Sequence, residues 1–212
     1  MSNKDIEKFF NDNASIYFAN KYFLKKRSDF IKNFTSESNR ILEVGIGTGD
    51  LAKHYSNGFV TGCDISQKMI DRAQIVLPES ILKVCDAEDL QYDSASFDIL
   101  VASEIIYYLA NPQNFLNEAN RVLKSGGKLI LIWGNINFNF IYKIASTLKL
   151  RAEDPFALQT ISRDSLSKLI SGIYFNSTIK YYGIGLPSFL SRSENYYIMN
   201  TSPIIGLVIH KI

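Results

Sequence analysis

The residues of this chain best placed to do chemistry are acids that end apolar runs. Glu43 opens Glu43-Val44-Gly45-Ile46-Gly47-Thr48-Gly49, directly behind Ile41-Leu42. Three glycines at alternate positions let a chain turn sharply and approach a bound molecule closely, because no Cβ intervenes. Set between a strand and a helix, such a loop marks a nucleotide-type site at the carboxyl end of a parallel strand. The spacing is G-x-G-x-G, not the G-x-G-x-x-G of a dinucleotide fingerprint, which argues against NAD. Asp64 ends the next apolar run, 19 residues beyond Gly45. A carboxylate there can accept hydrogen bonds from both hydroxyls of a ribose. Asp86 stands in Cys85-Asp86-Ala87-Glu88-Asp89-Leu90. It can accept from an exocyclic amino group of adenine, while the backbone around Ala87 pairs with a ring nitrogen. The run Phe97 to Val101 leads into Ser103-Glu104-Ile105-Ile106-Tyr107-Tyr108-Leu109, where a substrate would approach. Plainer roles compete with these. Asp64 can cap a helix, Asp86 can be a solvated turn acid, and Glu43 can brace the loop without touching a ligand.

The elements that must position these residues alternate. Strands are predicted at Arg40 to Val44, Phe59 to Cys63, Ile81 to Cys85, Phe97 to Ala102 and Lys128 to Trp133. Helices are predicted at Asp50 to Tyr55, Ser66 to Leu77 and Pro112 to Leu123, the last ahead of a turn at Gly126-Gly127. Apolar strands separated by helices imply a parallel sheet covered on both faces. Ahead of them, Phe9, Phe10, Tyr17, Phe18, Tyr22 and Phe23 recur at roughly helical spacing within residues 4–34, and Asn11-Asp12-Asn13 is expected to break or cap the first helix. Behind them, the pattern predicts a helix from Ser162, its N-cap, to Ile170, then strands at Ile173 to Tyr182 and Ile204 to Lys211. That ending suits an antiparallel hairpin at the sheet edge. The whole, 1–212, reads as one domain. It has an N-terminal helical cap segment (1–37) and two substrate-cap insertions (134–162 and 183–202).

Composition narrows the function classes. With 212 residues, 46% hydrophobic and 21% charged, the chain can bury one substantial core. No apolar run approaches the roughly 20 residues of a spanning helix. Met1 to Asp5 lacks the apolar core of a signal peptide, so a cytoplasmic protein without stable membrane insertion is expected. Net charge is +2, and the densest basic cluster, Lys25-Lys26-Arg27, reads as a solvated helix face, so no nucleic-acid partner is expected. Cys63 and Cys85 each end a predicted strand and face a core or a ligand. Without companion His/Cys spacing, neither a disulfide nor a metal site is expected.

Taken together, the glycine loop, Asp64, Asp86 and the Ser103-Glu104 segment resemble the class I S-adenosylmethionine-dependent methyltransferases. The nearest branch is the ubiquinone/menaquinone-biosynthesis and related small-molecule enzymes. The resemblance is close over residues 38–133. It implies a Rossmann-like α/β fold: a seven-stranded sheet, mostly parallel, with an antiparallel C-terminal hairpin and helices on both faces. It also implies S-adenosylmethionine as cofactor. Gly45, Gly47 and Gly49 would cradle its methionine and ribose portion, and Glu43 would support the loop or meet the amino group. Asp64 would bind the ribose, Ile65 would stack on adenine, and Asp86 and Ala87 would contact the adenine edge. Ser103 and Glu104 would offer backbone oxygens to the amino group.

The implied activity is methyl transfer to a small, partly apolar or aromatic acceptor. An RNA or protein methyltransferase and a non-catalytic cofactor-binding protein are the alternatives. Relatives often carry histidine where this chain has Tyr107-Tyr108, so those tyrosines are the catalytic candidates, through orientation of a substrate hydroxyl or a lowered pKa. His54 and His210 fall at structural positions. Tyr17, Tyr22 and Trp133 are the candidate substrate-binding residues. Arg27 is read as a surface residue, with an acidic substrate group as its other possible partner. A monomer or homodimer is expected.

Overall fold

The structure is a computed structural model that describes residues 2–15, 21–56, 60–135, 163–174, 177–184, 202 and 204–212. Two helices come first, α1 (Asn3–Asn13) and α2 (Lys21–Lys32). Next are β1 (Ile41–Val44), α3 (Asp50–Tyr55), β2 (Thr61–Asp64), α4 (Gln67–Val76) and β3 (Ile81–Val84). Then follow β4 (Phe97–Ser103), α5 (Pro112–Val122) and β5 (Leu123–Gly134). Among the described residues the chain ends with a helix numbered here α6 (Arg163–Ile173), β6 (Thr178–Ile184) and β7 (Ile204–His210). The strands form one sheet in the order β3-β2-β1-β4-β5-β7-β6. The first five are parallel, and β7 runs antiparallel between β5 and β6.

Alternation along each strand divides the core in two. Leu42, Val44, Leu100, Ala102, Leu129, Leu131 and Trp133 face α5 and α6. Ile41, Ile99, Val101, Ile130 and Ile132 face α2, α3 and α4. Helices therefore cover both faces, and the strand order reverses between β1 and β4. In an open sheet of this kind, the crevice at the carboxyl ends of those two strands is where a ligand binds.

Local chemistry sets most boundaries. Ser66 caps α4 by accepting from the Met69 N–H at 3.2 Å, and Asn111 caps α5 by accepting from the Gln113 N–H at 3.1 Å, with Pro112 in the first turn. Two expectations are corrected and one is resolved: Asn11-Asp12-Asn13 forms the last residues of α1. Asp12 pairs with Lys8 one turn back, and the Asn13 amide donates to the Phe9 carbonyl at 2.8 Å, so these polar side chains are satisfied by the helix itself. Ile173 belongs to α6, and the strand expected from it starts at Thr178. Gly126-Gly127 does not precede β5 but lies within it, as an irregularity where the pairing jumps from Phe97–Leu123 to Ile99–Lys128. Gly126 has φ +77° there, and its N–H donates to the Lys211 carbonyl at 2.9 Å.

The N-terminal cap segment corresponds to α1 and α2. Of the two expected insertions, 136–162 and 185–201 lie outside the described residues, as does the expected cap Ser162. Gly183 and Ile184 form the end of β6. Cys63 and Cys85 are both free and buried. No cluster of three or more potential metal ligands occurs among the described residues. No helix among them is long and apolar enough to cross a membrane.

Candidate cofactor and acceptor site

The carboxyl ends of β1, β2, β3 and β4 open into one cavity, roofed by α1 and α2. Its construction starts at the glycine loop. Gly45 has φ +71°, and a Cβ there would stand 2.2 Å from Cγ2 of Ile105, so the loop and the segment after β4 touch only because the side chain is absent. Gly47, at φ +53°, has nothing within 4 Å of where its Cβ would be. It borders the open cavity and presents bare backbone to it. Gly49 differs. It is the left-handed N-cap of α3, absent from the cavity lining, and its Cβ would press on Leu77 at 3.0 Å and Ala73 at 3.3 Å. Its part is close packing of α3 on α4.

Asp64 ties this loop to the next helix. One carboxylate oxygen accepts from the Gly47 N–H at 2.9 Å and the other from the Ser66 N–H at 3.0 Å. Burial pushes its pKa up, and the N–H groups of Ser66, Gly47 and Ile65 oppose that rise. Ser66, not Asp64, caps α4. Glu43 is 2% exposed and accepts from the Tyr55 hydroxyl at 2.6 Å. Burial drives its carboxyl up to about 8. The Tyr55 hydrogen bond and the Arg27 charge pull it down, and Asp64 pushes it further up. Asp86 accepts from the Glu88 N–H at 2.9 Å and, across the cavity mouth, from the Asn3 side-chain amide at 2.5 Å. Ile65, Ala87, Ser103 and Glu104 also line the cavity. Nine of the ten residues expected at the cofactor thus border one space, with Gly49 the exception.

The acceptor-side expectations fare unevenly. Tyr108 lines the cavity, with its ring edge-on to Phe10 at 5.1 Å between centroids. Tyr107 does not. It is buried in the core, and its hydroxyl donates to Oε2 of Glu104. Trp133 is 1% exposed within the core on the α5–α6 face, away from the cavity. Tyr22 is 56% exposed and outside the lining. Tyr17 lies outside the described residues. His54 is exposed on α3, and His210 sits at the end of β7.

Arg27 is not on the surface. Its side chain enters the cavity, with Nη1 3.4 Å from Ser103 Oγ and 3.7 Å from Glu104 Oε1. The signal for this was available. Leu24, Ser28 and Ile31 form the buried stripe of α2, and position 27 lies on that stripe at helical spacing. Asn3, Ile6, Phe10 and Leu24 also line the cavity and were not singled out from the sequence.

Comparison with known proteins agrees with this architecture. Residues 42–131 match the family described as a methyltransferase domain. The chain is 32% identical over 129 residues to an uncharacterized protein of Methanocaldococcus jannaschii, covering 60% of this chain and 57% of that protein. It is 33% identical over 122 residues to a ubiquinone biosynthesis O-methyltransferase of Coxiella burnetii, covering 53% of this chain and 51% of the relative. The chain thus spans about half the length of the curated relatives it matches. Among solved structures it resembles a SAM-dependent methyltransferase of Thermotoga maritima, described as a possible histamine N-methyltransferase. The TM-score there is 0.70 at 21% identity, over 91% of this chain and 90% of the other. The fold is the Rossmann-like methyltransferase fold, and that fold implies S-adenosylmethionine as cofactor.

Proposed function

We propose that the protein transfers a methyl group from S-adenosylmethionine to a small, partly apolar or aromatic acceptor. The convergence of four strand ends on one cavity carries this reading: Glu43 with the glycine loop, Asp64, Asp86-Ala87 and Ser103-Glu104 all border it. The residues fit the cofactor chemically. Gly47 leaves a cradle that a Cβ would enter, and Asp64 can accept from the ribose hydroxyls while holding the loop. Ile65 gives adenine an apolar face, and Asp86 and Ala87 supply its polar edge. Glu43 suits the cofactor's ammonium, whose charge favours the ionised carboxylate that burial disfavours. Bound there, S-adenosylmethionine supplies an electrophilic methyl on a sulfonium.

The chain's own part in such a displacement is alignment and exclusion of water. Ile6, Phe10 and Leu24 close the cavity from above with apolar surface. Ser103 and Glu104 stand where β4 delivers the acceptor side, with Tyr108 one turn beyond. The similarity to a ubiquinone biosynthesis O-methyltransferase supports a small-molecule acceptor, and the apolar and aromatic lining supports one with an apolar body.

Calorimetry with S-adenosylhomocysteine tests the cofactor half. One-to-one binding is expected, weakened by Asp86→Ala. Absence of binding to folded wild-type protein rejects the proposal.

A further inference from the structure

The cofactor reading uses the ends of β1, β2 and β3 and the backbone at Ser103-Glu104, and leaves one group of cavity side chains unused. Phe10, Arg27, Glu104, Tyr108 and Leu109 gather beyond the end of β4. Glu104 is the most constrained of them. Its backbone is left-handed, with φ +62°, an uncommon conformation for a residue with a Cβ. Its N–H donates to the Ile132 carbonyl at 2.7 Å, which anchors that turn to β5. Oε2 accepts from the Tyr107 hydroxyl. Oε1 stands 3.7 Å from Nη1 of Arg27, beyond hydrogen-bond distance, so this oxygen has capacity for another donor. Phe10 and Tyr108 line the same cavity, their rings edge to face with centroids 5.1 Å apart, and the Tyr107 and Tyr108 ring centroids are 4.8 Å apart. A cavity that presents both a carboxylate and aromatic rings can attract an ammonium group twice, by charge-assisted hydrogen bonding and through the ring quadrupoles.

Resting on the methyl-transfer reading, we infer that the acceptor is a small amine that enters as its ammonium, and that Glu104 both binds it and takes its proton. The ammonium gives one proton to Oε1 of Glu104, and the freed nitrogen lone pair forms a bond to the methyl carbon. The carbon–sulfur bond breaks with its electron pair passing to sulfur. The products are a protonated N-methylamine and the neutral thioether, and the proton on Glu104 leaves to solvent. Arg27 is the single cationic side chain lining the cavity among the described residues, and it stands toward Ser103 and Glu43 as well as Glu104. It limits rather than cancels the attraction for a cation. Tyr107 is a positioning residue, because it touches Glu104 and not the cavity.

The test uses protein saturated with S-adenosylhomocysteine and two probes of one shape, 2-phenylethylamine and 2-phenylethanol, titrated at neutral pH. The amine is expected to bind at least about tenfold more tightly, the usual scale of one charge-assisted contact. Glu104→Gln should bring the two probes to similar affinity. Phe10→Leu, which keeps apolar volume and loses the ring, should weaken the amine several-fold and the alcohol less. With S-adenosylmethionine, mass spectrometry should detect N-methylated 2-phenylethylamine. Equal affinity for both probes, preference for the alcohol, binding of neither, or equal weakening of both by Glu104→Gln would overturn the inference. In each of those cases binding of S-adenosylhomocysteine itself leaves the methyltransferase reading standing. Failure of that first binding step removes both.

Discussion

At the ends of β2 and β3, the acids of the site take backbone N–H groups from nearby loops, with the Asn3 side chain of α1 added at Asp86. Asp64 takes N–H groups from Gly47 and Ser66, and Asp86 takes one from Glu88. At the end of β4, Glu104 is held by Tyr107 from the following turn and faces Arg27 from α2, 77 positions earlier. Phe10, which meets Tyr108 in the same cavity, comes from α1. The cofactor side thus rests mainly on strand ends and backbone donors, with Tyr55 at Glu43 and Asn3 at Asp86 the side-chain additions. The acceptor side is assembled by side chains from separate helices. Backbone donors at a strand end change little among proteins of one fold, whereas side chains on covering helices can be exchanged without disturbing the sheet. One half can stay fixed while the other is retuned for a new acceptor.

Substitutions can break this division or sharpen it. Asp64→Ala should have the largest effect. It removes the acceptor of two backbone N–H groups and the proposed ribose ligand together. Calorimetry should show affinity for S-adenosylhomocysteine falling about 100-fold or more, on the scale of two hydrogen bonds to a charged group at about 1.5–3 kcal/mol each.

The titration of Glu43 comes next. Its folded pKa of about 8 lies above the ordinary value of 4.5. Between those values the unfolded chain is ionised while the folded protein keeps the proton, so the ligand-free protein should lose stability as pH rises through that window. Binding of an ammonium requires the ionised form, so affinity for S-adenosylhomocysteine should rise by up to about tenfold per pH unit below about 8, then level off. Glu43→Gln should flatten both profiles, read by thermal unfolding and calorimetry across pH. A wild-type affinity independent of pH would remove Glu43 from the ammonium site.

The glycines offer a finer comparison within the cofactor half. Gly45→Ala must push Ile105 away and also strains a positive φ. A thermal-denaturation loss of about 2–3 kcal/mol is expected, with the β4–acceptor turn displaced. Gly47→Ala meets open space and carries only the backbone strain, about 1 kcal/mol, while its methyl enters the cofactor cradle. Gly47→Ala should therefore reduce cofactor affinity out of proportion to its effect on stability. The reverse ranking would place the cradle elsewhere. The smallest effect is expected for Tyr22→Ala. The ring is largely exposed and outside the cavity, so affinity for S-adenosylhomocysteine should change less than about twofold and stability by less than about 0.5 kcal/mol.

Legibility in the sequence followed the same division. The alternation of apolar runs with capped helices located α3 to its final residue and each of the first five strands within a few positions, β5 excepted at its start. Those signals are local, since strand and helix periodicity is read over neighbouring residues, and the caps found at Ser66 and Asn111 lie next to the helices they start. Glycine spacing and the acids Glu43, Asp64 and Asp86 at or just beyond strand ends marked the core of the cofactor side, and the resemblance they carry added Ile65, Ser103 and Glu104. Gly49 carried the same residue signal, and only the packing of Leu77 and Ala73 against it separated a close helix contact from a ligand contact. On the acceptor side the residue types misled. Tyr22 and Trp133 are aromatic, but one faces solvent and the other the core.

The sequence by itself determined the doubly wound sheet and the row of acids at its carboxyl edge, because both are written in periodicities and neighbours along the chain. Only the tertiary structure decided that α1 and α2 roof the cavity, that Arg27 turns inward, and that Tyr107 grips Glu104 while Tyr108 meets Phe10. Those contacts depend on where separate helices cross the sheet. That placement is fixed by the packing of Leu24 and Ile31 into the core and of Asn3 and Asn11 against Asp86 and Ser66, none of which is adjacent in sequence to what it meets.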